Sequence, residues 1–194
     1  MYKCKNTKGY SLVEVLVAVS ILLIATVGPM TIATKSLQTA RYATEKSVAT
    51  FMAQEGIEAV VALRNESIIT AVQALDLSQS WDWTDAPDMN RCFNATGCNI
   101  GFHASDPGNN IIDCSTQSNC TMVYREGWQV PFAEVPSTHS SPEYTKYMRV
   151  IRLEETVPDT EVQITSTVYW DSPVIGGSGL ESVEVQGAVF NIYE

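Results

Sequence analysis

Glu14 stands just inside an apolar run and is followed by nineteen residues, Val15 to Ala33, without a charge. A charged side chain in a segment apolar enough for hydrocarbon costs about 3 kcal/mol or more unless a cation neutralises it. The chemistry open to Glu14 is therefore electrostatic. In a low-dielectric setting it can pair with a cation brought to it, because there an opposite charge is held strongly and a lone charge is costly.

The remaining reactive side chains are few. Of the five cysteines, four fall in two pairs, Cys92 with Cys98 and Cys114 with Cys120, each enclosing five residues. Structural zinc sites usually space such cysteines by two to four residues, so disulfides are favoured over metal. Pairing within each short, turn-rich loop is the preferred connectivity, and crossed pairing of the two loops is the alternative. His103 and His139, the two histidines, lie in no metal or nucleophile motif. Asp82, Asp85 and Asp88, and the stretch Asp106 to Asp113, offer oxygens that calcium could use, but without EF-hand spacing they read as acidic turns. Trp81, Trp83 and Trp128 read as closing a small core rather than as a sugar-binding patch. No catalytic constellation emerges, and neither a metal nor a cofactor is expected.

The element that must position Glu14 is a helix. Leu12 to Ala33 is long enough to cross a bilayer at about 1.5 Å of rise per residue. Lys3, Lys5 and Lys8 precede it with no acidic residue, and positive charge beside a first membrane helix stays in the cytoplasm, which sends the rest of the chain outward. A secretory signal places its small-residue cleavage site after the apolar stretch, whereas Gly9 comes before it, so cleavage there would retain the helix.

The run Gly9-Tyr10-Ser11-Leu12-Val13-Glu14 resembles the precursors of type IV pilins and type II secretion pseudopilins, which carry a basic leader ending in Gly, then an aromatic, a hydroxyl residue, two aliphatics and Glu. The resemblance implies that prepilin peptidase cuts between Gly9 and Tyr10 and methylates the new amino terminus. It also implies that Glu14 offsets the terminal amine of a neighbouring subunit within a filament, as a register device. Tyr10 stands where Phe is usual, and Pro29 sits two residues earlier than in many major pilins; Gly28-Pro29 is a candidate kink. Further along, Met52 to Glu58 followed by Arg64-Asn65 is similar to the helix of PilV- and GspI-like minor pilins.

Beyond Ala33 the helical pattern becomes amphipathic. Ala49, Met52, Gly56, Ala59, Val60 and Leu63 share one side, and Gln54, Glu58 and Asn65 the other. The expected organisation is a leader over 1–9, a helix over 10–76 with its membrane segment at about 12–33, and a head over 77–194. In the head, Leu77 to about Pro142 shows no regular pattern, while Val162, Ile164, Ser166, Val168 and Trp170 alternate with their neighbours as a strand does. The segments around Tyr147 to Glu154 and Ser182 to Tyr193 look alike, with Asp171 to Gly179 as a connection. The fold class is α+β: a long N-terminal helix packed on an antiparallel sheet of three or four strands.

The formal net charge is −10, and removing the three leader lysines leaves nine Lys and Arg against 22 Asp and Glu, a net of −13. An acidic head repels nucleic-acid phosphates, so no nucleic-acid partner is expected. Arg149 and Arg152 are the candidates for a local basic patch. Three apart on a strand, they point to opposite faces and read as solvated or paired. The chain thus reads as a non-enzymatic minor pilin or pseudopilin of the cytoplasmic membrane, with its N-terminus cytoplasmic. Its partners would be prepilin peptidase, other pilin or pseudopilin subunits and the membrane, in an extracellular pilus or an envelope pseudopilus. The alternative is a membrane-anchored adhesin or binding protein that never polymerises.

Overall fold

The computed structural model describes residue 9 and residues 11–73, 89–101, 111–125, 128–131, 143–172 and 179–191. The chain divides into two compact units, Met1–Ala43 and Thr44–Glu194. A single helix, α1 (Leu12–Gln73), supplies the described part of the first unit apart from Gly9 and Ser11, and opens the second.

In the first unit every described helical residue from Leu12 to Ala40 is exposed, including Leu16, Ile21, Leu22, Leu23 and Ile24. Water does not tolerate such a surface over so many residues, and the helix is long and apolar enough to cross a membrane. Its hydroxyl residues are consistent with hydrocarbon. Ser20 Oγ donates to Leu16 O at 2.8 Å, Thr26 Oγ1 to Leu22 O at 3.0 Å and Thr31 Oγ1 to Gly28 O at 2.8 Å. Each polar group is thereby satisfied by its own helix, as a bilayer interior demands.

The second unit is a sheet with the helix on one face. Its strands are β1 (Cys98–Ile100), β2 (Ile111–Asp113), β3 (Thr121–Arg125), β4 (Trp128–Pro131), β5 (Glu143–Val157), β6 (Glu161–Ser172) and β7 (Gly179–Phe190). All pairings are antiparallel. β5 is the spine. One of its edges pairs with β6, which pairs with β7; the other is shared by β1 and β3, which carry β2 and β4 outward. The sheet therefore has seven strands among the described residues where three or four were expected. The long strands β5 to β7 carry the period-two pattern, whereas β1 to β4 are three to five residues long and lie within the segment that shows no such pattern.

Small residues bring helix and sheet together. Ala49, Ala53, Gly56 and Ala59 are buried beside Met52 and Val60, while Gln54 and Glu58 face outward as the periodicity requires. A Cβ at Gly56 would stand 2.5 Å from Ser166 Oγ and 3.2 Å from both Arg149 Cδ and Ile151 Cδ1, so this turn of the helix fits only without a side chain. Ile164, Val162, Leu153, Ile151 and Ile100 complete the core from the sheet side. The inward set of β6 is the one read from its alternation. The expected connection from Asp171 to Gly179 is shorter, because β6 continues to Ser172 and β7 begins at Gly179.

Candidate functional site

Among the described residues, two places hold residues with more than a packing role: the start of α1 and the junction where the helix is fastened to the sheet. At the start of α1, Gly9 is exposed and Val15 N donates to Ser11 O at 3.2 Å, so Ser11 occupies the N-cap position. Glu14 lies in the first turn, three residues on, where a carboxylate is favoured by the positive end of the helix dipole. The pair has the spacing of a capping box. Reading Glu14 only as a buried charge missed this local role, although the Ser-x-x-Glu pattern signals it. Tyr10 lies outside the described residues. Glu14 is exposed, and the described part of its own chain brings no cation to it.

Gly28 and Pro29 sit within the unbroken helix. Pro29 has no N–H, so the carbonyl one turn before it loses its usual partner. Nothing lies within 4 Å of a Cβ built at Gly28, so no packing contact demands a glycine there.

The junction is built on Glu45. Its carboxylate pairs with Lys146 Nζ and accepts from Ser172 Oγ at 3.0 Å, and its backbone carbonyl accepts from Tyr147 Oη at 3.4 Å. Hydrogen bonding and charge from Lys146, with help from Ser172, hold the Glu45 carboxyl below the ordinary glutamate value against the opposing effect of burial. The Trp170 indole Nε1 is buried without a hydrogen bond of regular geometry, yet its N–H also favours the Glu45 carboxylate. Tyr147 and Trp170 stand opposite in the β5–β6 register with ring centroids 6.3 Å apart.

Two residues beyond Tyr147 along β5, Arg149 is wholly buried. Its Nε donates to Asn99 Oδ1 at 2.9 Å, Nη2 to Ile100 O at 2.6 Å and Nη1 to Met52 O at 3.3 Å, with Glu55 Oε2 at 3.6 Å from Nη1. One guanidinium thus ties β5, β1 and α1 together. Of the two expectations for Arg149, solvated or paired, the structure overturns the first and keeps the second: the guanidinium is buried beside Glu55, and the fork geometry that suits phosphates is spent on backbone carbonyls and an amide inside the core. Arg152 does point to the opposite face, where its Nε donates to Ala95 O at 3.0 Å. Arg149 therefore contributes nothing to a surface basic patch.

The cysteine pairs lie at disulfide distance in the order preferred from sequence. Cys92 and Cys98 have Cα atoms 4.7 Å apart, and Cys114 and Cys120 5.4 Å. The first clips a 3-10 turn (Met89–Phe93) to β1 directly beside Asn99; the second closes the connection from β2 to β3. Gly97, at φ +72°, makes the first loop possible, since a Cβ there would meet Ile151 O at 2.7 Å. Asp113 Oδ1 accepts from Ser115 N at 2.6 Å, which is the behaviour of a turn carboxylate. Among the described residues no group of His, Cys, Asp and Glu is arranged to hold a metal ion. The candidate ligands Asp82, Asp85, Asp88 and Asp106, together with His103, His139, Trp81 and Trp83, fall outside the described residues; Trp128 opens β4.

Residues 4–28 match a family model, the prokaryotic N-terminal methylation motif, which is the hallmark of type IV pilins and pseudopilins. No curated protein and no solved structure matches the chain. The matched residues span Gly9, Tyr10, Glu14 and Gly28, the segment that opens the exposed apolar helix. Helix and antiparallel sheet together make an α+β arrangement of pilin type.

Proposed function

We propose that this chain is a minor type IV pilin or pseudopilin: a structural subunit that waits in the cytoplasmic membrane, is cut and N-methylated by prepilin peptidase, and is then drawn into a filament. The methylation motif followed by a wholly exposed apolar helix carries this reading. The motif supports processing of the pilin kind. Entry into a filament, the minor role and the outward placement of the head are the finer steps proposed here.

On this reading, Gly9 presents the scissile bond because a residue without a side chain lets a protease approach the backbone closely. Cleavage creates a positive amine at Tyr10 and removes three lysines that would hold the N-terminus at the cytoplasmic face. Glu14 then serves the amine of an adjacent subunit. Its own chain supplies the helix dipole but no counter-ion among the described residues, which leaves the carboxylate available for an intermolecular partner. The head, held by the Arg149 and Glu45 clamps, carries the cysteine-clipped segment as its specialised element.

Co-expression with a prepilin peptidase, followed by intact-mass and peptide spectrometry of the N-terminus, tests the proposal. A methylated terminus at Tyr10 is expected. An uncut chain, alongside an authentic prepilin processed in the same cells, would favour a membrane-anchored adhesin that never polymerises.

A further inference from the structure

Among the described residues the sheet ends in three edges, β2, β4 and β7. An edge strand exposes unpaired N–H and C=O groups, and proteins blunt such edges with short strands, proline, lysine or bulges. β2 is three residues long, and β4 is four and ends at Pro131. β7 has none of these defences along most of its length. It runs for 12 residues in unbroken register with β6, from Gly179 opposite Ser172 to Phe190 opposite Glu161, and contains no Lys, Arg or Pro. Its one inward-facing charge, Glu181, lies near its start, opposite Trp170.

Beyond Glu181 the inward set is Val183, Val185, Gly187 and Val189, and only Val189 is buried. Ile57 of α1 reaches Gly187, with its Cγ2 3.1 Å from where a Cβ would stand, while Val183 and Val185 stay half-covered. The open edge is thus bordered by an apolar ledge. On the opposite face Glu184 is exposed, and the outward residues of β6 in register with β7 include Glu161 and Asp171.

We infer that the free edge of β7, from Val183 to Phe190, is a docking site for an extended segment of another protein that joins the sheet as a further strand. Backbone hydrogen bonds supply affinity in such an addition, and alternate side chains supply specificity. The added strand has apolar side chains toward α1, over Val183 and Val185, and cationic ones on the outer face beside Glu184. A second copy of β7 does not meet this requirement, because the strand contains no Lys or Arg to set beside Glu184. The inference concerns the head alone and stands whether or not the helix enters a filament.

The test uses the full chain in nanodiscs of zwitterionic lipid and a short fluorescent peptide of alternating valine and lysine. The peptide should bind saturably, and methylating alternate backbone nitrogens should weaken it by at least about tenfold, since those hydrogen bonds are lost. Glu184→Lys, at an exposed position, should weaken it by about fivefold and shift preference to a valine–glutamate peptide. The alternate amides between Val183 and Phe190 that point away from β6 should gain protection from hydrogen exchange on binding. Absence of saturable binding would overturn the inference, as would binding indifferent to N-methylation, which charge alone explains. Full protection of every β7 amide in the free protein would also overturn it, by showing the edge already covered.

Discussion

Arg149 Nε donates to Asn99 Oδ1 at 2.9 Å, and both side chains are shut away from water. The amide oxygen also accepts from Ile100 N at 3.1 Å, so Asn99 orients both its own strand and the guanidinium. A short strand that meets the spine at Cys98 opposite Ile151 is thereby joined to the helix through one side chain. Removing either partner leaves buried polar groups unmet. Arg149→Ala should lower the stability of the head by about 3–5 kcal/mol, and Asn99→Ala by about 1–3 kcal/mol. The double variant should cost less than the sum, because the two act as one unit. Chemical unfolding of the detergent-solubilised chain checks this; additive losses would show that the two residues act independently.

Gly56 and Ser166 make a second pair. Gly56→Ala should destabilise by about 1–3 kcal/mol, because the helix turn has no room for a methyl group. Ser166 Oγ is buried without a hydrogen-bond partner, so Ser166→Ala should be neutral or stabilising. It should also recover part of the Gly56→Ala loss by removing the nearest atom. Thermal melts of the three variants decide it, and a worse melt for the double variant than for Gly56→Ala would refute the contact.

Glu45 confers a defined pH dependence. Its folded-state pKa lies below the ordinary value of 4.5, so the stability it contributes is present above 4.5 and is lost as pH falls through the lower folded value. The half-exposed setting of Lys146 keeps the gain within about 1 kcal/mol. Glu45→Gln should therefore be less stable than the parent at neutral pH and match it in strong acid. Parallel unfolding curves across pH, with a constant difference between the two proteins, would count against the ion pair.

Glu14→Ala should leave cleavage at Gly9 intact while lowering the share of subunits recovered in filaments. The helix should still form, since the loss of a first-turn carboxylate costs only about 0.3–1 kcal/mol. Sheared-filament and membrane fractions measured with a tagged chain separate the two steps. Unchanged incorporation would remove Glu14 from assembly and leave it only its position at the helix start.

Cys92→Ser should destabilise the head by about 2 kcal/mol, the chain-entropy value for so short a loop. Because Asn99 follows Cys98 directly, its loss should also loosen the Arg149 clamp, seen as faster exchange of the Ile100 amide. Non-reducing peptide mapping would recover Cys92 joined to Cys98 and Cys114 to Cys120. Peptides joining the two loops would establish the crossed alternative instead.

What the sequence determined is what depends on local pattern. Nineteen uncharged residues after Glu14 dictate a helix exposed to something other than water, and three-and-four spacing from Ala49 to Leu63 sets which side of it meets the sheet. Alternation from Val162 to Trp170 names the inward face of β6 because side-chain direction reverses at every residue of a strand. The tertiary structure decided what depends on distant partners. β1 and β2, three residues each, have too little length to show a period, and they become strands by pairing with each other and, through β1, with β5. Arg149 read as solvated or paired because its sequence neighbours do not show which; in the fold Glu55 supplies the opposite charge, and Asn99, 50 positions away, and Met52, 97 away, accept its hydrogen bonds. Glu45 likewise acquires its role only when β5 and β6 carry Lys146 and Ser172 to it. Periodicity is written into neighbouring residues, whereas the cost of burying a charge is met by groups that only the folded chain brings together.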